Sequence, residues 1–254
     1  MKKQPKQDLI YGKRPILEAL TSGVKLSSIK ISDSAEKDSL LNRIVDLAKA
    51  QNVRVDRVSI KEIKKPSDNR NFQGIAAVVA PFKYEELGVC LNDAQSTFER
   101  QGAALVLVCD HITDVGNLGA IIRSAESVGA SCVVIPNARS ASVTSVVYKT
   151  SAGAVAHIPI VQVSNIARTL VELKDNGFWV VGASEHSESV IWDSNFEGKI
   201  AIVLGNEEKG ISNIALAECD DTFKLPQRGK VSSLNVAQAS TVFMYEWVRQ
   251  NGLD

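Results

Sequence analysis

The chain has 254 residues, a net charge of zero, 44% hydrophobic residues and 23% charged residues, a composition typical of a globular protein. No apolar run approaches the length of a membrane span, and the basic N-terminus lacks the apolar stretch of a signal peptide, so we expect a soluble cytoplasmic protein. The four cysteines form no CxxC pair and the three histidines show no metal-ligand spacing, so we expect neither disulfide bonds nor a metal site.

The first 80 residues show the alternating pattern of a small α/β domain, which we place at residues 1–81. Helical patterns cover residues 12–20 and 39–51, and strand patterns cover residues 28–31, 53–58 and 75–80. The first 80 residues hold 16 Lys or Arg against 9 Asp or Glu, whereas residues 81–254 hold 13 against 20. An RNA phosphate backbone would favour such a basic domain, although two solvated surfaces of different charge would give the same asymmetry.

A polar segment, KKPSDNRNFQG at residues 64–74, contains Phe72 as its single aromatic residue. Such a loop can present cations and a stacking ring to single-stranded RNA. A polar turn with Phe72 tucked into the core fits the pattern equally well, and both interpretations stay open.

Periodicity is lost over residues 82–97, where we predict a linker, and a second domain is predicted at residues 98–254. Apolar strand patterns cover residues 104–109, 132–135, 158–163, 179–182, 200–204 and 222–225. Helical patterns over residues 118–128, 166–176 and 236–249 alternate with them. Because continuous apolar strands need burial on both sides, this alternation predicts a mostly parallel sheet with helices on both faces.

Neither GxGxxG nor GxxxxGK[ST] occurs after these strands, which argues against a conventional dinucleotide site and against a P-loop. Three other loops follow predicted strands, at the ends where open α/β sheets bind ligands: DHITDVGNLGAIIRSAESVGA (110–130), LGNEEKGIS (204–212) and LPQRGKVSSLNVAQAS (225–240). In the first, Asn117 suits a helix N-cap, and Gly119 leaves room for a ligand beside Arg123, unless Arg123 is an ordinary surface residue.

In the second loop, Gly205 would let a ligand edge approach, although the charged residues that follow it also fit a solvated turn. The helix after the third loop carries Val236, Ala239, Phe243 and Trp247 on one face. That stripe predicts core or dimer packing rather than contact with a cofactor.

Taken together and in this order, the three loops resemble the signature motifs of the SpoU/TrmH ribose methyltransferases of the SPOUT superfamily, over about residues 104–248. The opening IYGKRPILEAL is similar to the substrate-binding domain of the RlmB-like branch, which is related to ribosomal RNA-binding proteins. The chain departs from the family pattern at Val115, where proline is frequent, and at residues 236–239, which read VAQA rather than VSVA.

The resemblance implies a C-terminal α/β domain tied in a trefoil knot, S-adenosylmethionine as cofactor, no metal, and a homodimer with active sites near its interface. It implies these cofactor-binding residues: Gly182, Ala183, Ser184, Gly205, Ile211, Leu225 and Leu234. It implies these catalytic residues: Asn117, Arg123, Glu207, Ser233 and Asn235. Because a guanidinium is a poor base, we expect Arg123 to contact phosphate and to stabilise the developing alkoxide.

The activity that the resemblance implies is methyl transfer from S-adenosylmethionine to a ribose 2′-hydroxyl of RNA. The RlmB-like branch acts on a guanosine of large-subunit (23S) ribosomal RNA, and we expect the same substrate here. Two alternatives stay open: a transfer-RNA or resistance-type ribose methyltransferase of the same family, and a non-catalytic RNA-binding or ribosome-assembly factor with a vestigial site.

Overall fold

We describe the protein from a computed structural model, which covers residues 9–63, 72–230 and 233–253. The chain divides into two compact units. The first comprises the residues up to Lys83 together with Thr144–Lys149, and the second comprises Tyr84–Val143 and the residues from Thr150 onward. Both units mix helices and strands, as the sequence predicts. No helix in the described ranges is both long and apolar enough to cross a membrane.

The first unit is built on a four-stranded sheet. Its elements are β1 (Leu9–Tyr11), α1 (Lys13–Thr21), β2 (Leu26–Ser32), α2 (Ser39–Ala50), β3 (Arg54–Val58), α3 (Ile60–Ile63) and β4 (Ile75–Val79). The strand order is β1-β4-β2-β3, with β2 parallel to β3 and β4 antiparallel to both of its neighbours. The five predicted elements are present within two residues of their predicted bounds, whereas β1 and α3 are too short to carry a periodic signal.

Lys13 links two helices inside this unit. Its Nζ lies 2.7 Å from Oδ2 of Asp38, and Oδ1 of the same carboxylate accepts a hydrogen bond from the N–H of Leu41 at the start of α2. The hydrogen bond from Lys13 holds the pKa of Asp38 below its ordinary value. Lys13 is only 5% exposed, so this cation of the basic domain serves the fold.

Phe72 is a core residue of the first unit. It is 5% exposed and packs with Ile63 and Ala76, and its ring meets the ring of Tyr11 edge-on with centroids 4.7 Å apart. The interpretation of Phe72 as an exposed stacking platform is therefore wrong. The preceding polar residues, 64–71, lie outside the described residues.

The remaining elements follow the alternation predicted for the second domain, except the helix Ser145–Thr150, which belongs to the first unit up to Lys149. They are α4 (Leu87–Gln101), β5 (Ala104–Cys109), α5 (Val115–Ser127), β6 (Cys132–Pro136), α6 (Ser145–Thr150), β7 (Ile160–Val163), α7 (Ile166–Asp175), β8 (Trp179–Ala183), β9 (Lys199–Leu204), α8 (Asn213–Leu216), β10 (Asp221–Phe223) and α9 (Val236–Asn251). The six strands form one parallel sheet in the order β10-β8-β9-β5-β6-β7. Every residue of β5 and β6 is buried, as parallel strands covered on both faces require.

Helix α4 occupies most of the segment for which the sequence predicts a linker. Its buried residues Cys90, Leu91 and Ala94 belong to the core of the second unit, and Phe98 packs against that core. The expected linker at residues 82–97 is therefore wrong for the part from Leu87 onward. Few strongly apolar residues mark the buried face of α4, so its helical period is weak in the sequence.

The strand order brings the three singled-out loops to one edge of the sheet. Strand β9 lies between β5 and β8, and β10 flanks β8. Because all these strands are parallel, the loops that follow them leave at the same edge. The sheet therefore positions the candidate site.

Helix α5 begins two residues before the predicted N-cap. Asp114 is the cap, and its Oδ1 accepts a hydrogen bond from the N–H of Asn117 at 2.7 Å. The prediction of Asn117 as N-cap is therefore wrong. As the third residue of the helix, Asn117 directs its side-chain amide into tertiary hydrogen bonds instead.

Gly119 packs against protein rather than leaving room for a ligand. A Cβ at this position would overlap the Thr150 hydroxyl and lie 3.0 Å from the backbone nitrogen of Ser151. Thr150 is fixed there, since its hydroxyl donates a hydrogen bond to the carbonyl of Val115 at 3.3 Å. The expectation that the space beside Arg123 admits a ligand is corrected accordingly.

Gly119→Ala is expected to lower the free energy of unfolding by about 1–3 kcal/mol, the usual cost of overpacking. The matched control is Gly88→Ala in α4, where an added Cβ meets no atom within 4 Å. That variant should raise the stability by up to about 1 kcal/mol, because alanine forms helices better than glycine. Urea denaturation measures both, and two changes of the same sign would contradict the close contact at Gly119.

Candidate functional site

A cavity of about 510 Å³ opens where β8, β9 and β10 end. Six of the seven predicted cofactor residues line it: Ala183, Ser184, Gly205, Ile211, Leu225 and Leu234. Four of the five predicted catalytic residues also line it: Asn117, Glu207, Ser233 and Asn235. Loops that are far apart in the sequence therefore share one cavity.

Two of the predicted glycines serve the packing of the walls. Gly182 lies beneath the cavity, where an added Cβ would come within 3.1 Å of the side chains of Ile211 and Thr222. Gly205 lines the cavity, but a Cβ there would overlap the backbone of Gly210 and Ile211 in its own loop. Loop closure therefore requires glycine at position 205, whether or not a ligand lies against it.

The C-terminal helix supplies a wall that the sequence assigned to packing alone. Val236, Ala239 and Phe243 of α9 line the cavity. Phe243 is also 2% exposed and its ring lies 6.2 Å from the ring of Phe196, so the stripe serves both the core and the cavity. The predicted core packing is confirmed, and the same face also lines the cavity, because the apolar pattern alone does not show where the core ends.

Several further charged or polar residues line the cavity, namely Glu185, His186, Asn206, Glu208 and Lys209. The last three lie inside the loop 204–212 that the sequence singles out, but no residue-level signal marks them. Glu185 and His186 follow the predicted residue Ser184, and that position is the signal that would have found them. No group of three His, Cys, Asp or Glu side chains within the described residues is arranged to hold a metal ion.

The Glu207 carboxylate joins the loop after β9 to the loop after β5. The backbone N–H groups of Thr113 and Asp114 donate hydrogen bonds to Glu207 at 3.4 and 3.3 Å. The side-chain amides of Asn117 and Asn206 donate to it at 3.1 and 3.2 Å, and the Thr113 hydroxyl donates at 3.3 Å. A carboxylate surrounded by this many donors is well suited to hold a loop and poorly suited to accept a proton.

The hydrogen-bond donors around Glu207 lower the pKa of its carboxyl group. Partial burial acts to raise the pKa of the carboxyl, but the hydrogen bonds from Asn117 and from backbone N–H groups outweigh burial and hold the pKa below its ordinary value. Glu207 is therefore ionised at neutral pH and stays an acceptor of hydrogen bonds.

Asn117 connects Glu207 to the C-terminal helix through hydrogen bonds. Its Oδ1 accepts a hydrogen bond from Nδ2 of Asn235 at 2.9 Å, while its own Nδ2 donates to Glu207. Asn235 is the N-cap of α9, and its Oδ1 accepts from the N–H of Ala237 at 2.9 Å. These bonds fix the orientation of both amides at the mouth of the cavity.

Arg123 is the one predicted catalytic residue that does not line the cavity. It is exposed on α5, six residues beyond Asn117. At 3.6 residues per turn, that spacing puts Arg123 on a different face of the helix from Asn117. The described chain therefore does not bring the guanidinium together with the other four residues.

Comparison with protein families gives two matches that divide the chain. A family model described as the SpoU rRNA Methylase family matches residues 104–245. A second model, described as RNA 2′-O ribose methyltransferase substrate binding, matches residues 9–85.

Comparisons with individual proteins agree with these family matches. An uncharacterized tRNA/rRNA methyltransferase of Synechocystis is 37% identical over 247 residues, which are 97% of this chain and 64% of the relative. A Staphylococcus aureus protein named as a TrmH family tRNA/rRNA methyltransferase is 35% identical over 242 residues, which are 95% of this chain and 96% of the relative. The crystal structure of the SpoU methyltransferase AviRb from Streptomyces viridochromogenes with AdoMet superposes with a TM-score of 0.68 at 26% identity, covering 96% of this chain and 90% of that chain.

The Glu207 hydrogen bonds predict a pH-dependent stability. Because the folded-state pKa is lowered, the ionised carboxylate stabilises the fold above the unfolded pKa of about 4.3, and this stabilisation is lost as the pH falls through the folded pKa. We expect Glu207→Gln to be less stable than the wild type at pH 7, and the two to converge in chemical denaturation as the pH falls below the unfolded pKa of about 4.3.

Glu208→Gln is the matched control. In the same turn, Glu208 contributes its backbone N–H to the hydrogen bonds of Asn206. Its substitution keeps this backbone bond, so the stability at pH 7 should stay within about 0.5 kcal/mol of the wild type. A stability gap for Glu207→Gln that stays constant between pH 7 and pH 3 would contradict the assignment.

Proposed function

Because the chain belongs to the SpoU rRNA methylase family, we propose that it methylates a ribose 2′-hydroxyl of a guanosine in large-subunit (23S) ribosomal RNA. Members of this family are S-adenosylmethionine-dependent RNA methyltransferases. The observation that carries the proposal is the cavity whose rim holds Asn117 and Asn235 in fixed orientations beside Glu207. The choice of a guanosine in ribosomal RNA rests on the resemblance of the opening IYGKRPILEAL to the RlmB-like branch.

The cavity fits S-adenosylmethionine, which supplies the methyl group on a sulfonium leaving group. Its volume of about 510 Å³ lies within the range of roughly 300–1,000 Å³ typical of small-molecule sites. Apolar side chains such as Ile211 and Leu225 would cover the adenine, while Ser184 and the backbone around Gly205 would offer hydrogen bonds. The walls carry both signs of charge, with the carboxylates of Glu185 and Glu208 and the ammonium groups of Lys209 and Lys224, which suits a ligand that carries a carboxylate as well as positive charges.

The polar residues at the rim would orient the ribose. In-line methyl transfer needs the 2′-oxygen held about 3–3.5 Å from the methyl carbon. Correct orientation of the ribose therefore supplies much of the reduction in activation free energy. Asn117, Ser233 and Asn235 carry amides and a hydroxyl that can bind ribose or phosphate oxygens. None of them is a base, so the proton of the 2′-hydroxyl would pass to solvent water as the new carbon–oxygen bond forms. Glu207 acts through Asn117 and is a positioning residue, since its carboxylate already accepts hydrogen bonds within the protein.

Arg123 would act on the RNA from outside the cavity of its own chain. As a permanent cation it would bind phosphate and stabilise the developing alkoxide. We propose that the protein works as a homodimer and that Arg123 contributes to the site of the partner subunit. Its exposure and its absence from the cavity lining support this arrangement.

The first unit would bind the RNA substrate. Its family match is described as substrate binding, and the first 80 residues carry the excess of positive charge. Such an excess of positive charge attracts the phosphate backbone but does not recognise the base sequence of the RNA. Other parts of the RNA or of the protein must therefore select the nucleotide.

Purified protein with radiolabelled S-adenosylmethionine is expected to label unmodified 23S ribosomal RNA. The product should be 2′-O-methylguanosine after digestion to nucleosides. Label on a base would overturn the ribose assignment. Because the curated relatives are named tRNA/rRNA methyltransferases, unmodified transfer RNA is tested in parallel, and its preferential labelling would overturn the ribosomal substrate. Absence of label on any RNA would favour a non-catalytic factor.

Arg123→Ala is expected to lower kcat by about a hundredfold, the scale of removing one donor to a developing oxyanion. The affinity for S-adenosylhomocysteine should stay within twofold of the wild type, because Arg123 does not line the cavity. Initial rates and calorimetry separate the two effects. A comparable loss of cofactor affinity would contradict the assignment.

Mixing two inactive variants tests whether Arg123 serves the partner subunit. Arg123→Ala and Asn235→Ala chains, unfolded and refolded together, would regain roughly a quarter of the wild-type activity, since half of the dimers are mixed and each mixed dimer has one intact site. If Arg123 acts within its own chain, no intact site forms and no activity returns.

A further inference from the structure

Asp110 is a buried carboxylate that none of the roles above uses. It is the first residue after β5, and it is 1% exposed. Its backbone N–H donates to the carbonyl of Leu204 at 2.7 Å, which extends the pairing of β5 with β9 by one residue. Asp110 does not line the cavity, so it would act only through its neighbours.

We propose that Asp110 is a positioning residue for methyl transfer, which anchors the loop 205–212 to the end of β5 and so keeps the cofactor wall in place. The inference rests on the proposed function, because this loop would hold S-adenosylmethionine. Seven of its eight residues line the cavity, which are all residues of the loop except Ser212.

The far end of the loop is held by the carboxylate itself. Oδ2 of Asp110 accepts a hydrogen bond from the backbone N–H of Ser212 at 2.7 Å. Ser212 is the N-cap of α8, and it follows Ile211 directly. The bond therefore fixes the chain where it leaves the cavity wall and enters the helix.

The near end of the loop is held through His111. Oδ1 of Asp110 lies 2.6 Å from Nδ1 of His111, whose backbone has the left-handed φ of 61°. In this conformation the carbonyl of His111 accepts a hydrogen bond from Nδ2 of Asn206 at 2.8 Å. A left-handed φ at a non-glycine residue costs free energy and needs support, which the contact with Asp110 supplies.

Burial makes this carboxylate dependent on its partners. A charge removed from water is stable only when donors surround it, and Ser212 and His111 are the ones that the structure shows for Asp110. If the Ser212 N–H is deleted, one carboxylate oxygen loses its donor and the loop loses its anchor. The wall of the cavity is then expected to move while the sheet below it stays folded.

Substitutions at both partners test the anchoring bond. Ser212 has φ −62°, which matches the value of about −65° fixed by proline, so Ser212→Pro removes the N–H without forcing φ. The ring Cδ takes the place of that hydrogen and also displaces the Asp110 carboxylate, which lies 2.7 Å from the nitrogen. Ser212→Ala is the matched control, since it also removes the capping hydroxyl, which accepts from Ala215 at 3.4 Å, but keeps the N–H. Asp110→Ala is a second variant that removes the carboxylate and keeps the donor.

The readouts are the affinity for S-adenosylhomocysteine by calorimetry, kcat, and KM for RNA. We expect Ser212→Ala to stay within twofold of the wild type in affinity, and Ser212→Pro and Asp110→Ala to bind at least tenfold more weakly. KM for RNA should change less than twofold in all variants, because the proposed phosphate contacts of the first unit and of Arg123 lie outside this loop. The value of kcat should fall in Ser212→Pro and Asp110→Ala, because Glu207 on this loop orients Asn117. Weaker binding of S-adenosylhomocysteine with an unchanged KM for RNA would show that the cofactor wall has moved and that the protein has not lost its structure as a whole.

Three results would overturn the positioning role. The first is an affinity of Ser212→Pro or Asp110→Ala equal to that of Ser212→Ala. The second is a KM for RNA that rises in step with the loss of cofactor affinity. The third is failure of both variants to fold while Ser212→Ala folds, which would make Asp110 a residue of the fold alone. A wild-type protein that binds no S-adenosylhomocysteine would instead overturn the proposed function.

Discussion

The Glu207 carboxylate is the interaction on which the arrangement of the cavity depends. A parallel sheet brings loops to one edge but leaves each free to adopt its own conformation. Glu207 removes that freedom by accepting hydrogen bonds from Thr113 and Asp114 on the loop after β5 and from Asn117 in the first turn of α5. Asn117 then holds Asn235 at the start of α9. Hydrogen bonds to an ionised acceptor are stronger than neutral ones, so one charge orders three segments that are distant in the sequence.

Small residues make this arrangement possible by letting backbones approach closely. Gly205 allows the strand end to lie against Gly210 and Ile211, and Gly119 allows α5 to lie against Thr150. A glycine-rich loop looks like a ligand-binding device in the sequence. Here the glycines are required first by contacts within the protein, and any space for a cofactor is a consequence of the loop conformation that those contacts fix.

Rigidity on the other side of the cavity comes from aromatic packing. Phe223 and Phe243 line the cavity, and each ring lies about 6 Å from that of Phe196 behind them. Phe196 is fully buried. A wall fixed by core aromatics faces a loop fixed by hydrogen bonds, and a site preorganised on both sides does not need to order itself when it binds a small ligand.

The sequence by itself determined the parallel sheet, because uninterrupted apolar strands such as β5 have no stable place except between two layers of helices. Through their order along the chain, the motif residues also determined the family and most of the cavity lining. Only the tertiary structure decided that Asp114 and not Asn117 caps α5, that Phe72 is buried, and that Arg123 lies away from the cavity. Periodicity records which face of an element is apolar. The partner that each polar side chain finds depends on loops that meet only when the sheet forms, and neither those contacts nor a chain knot leaves a periodic signal.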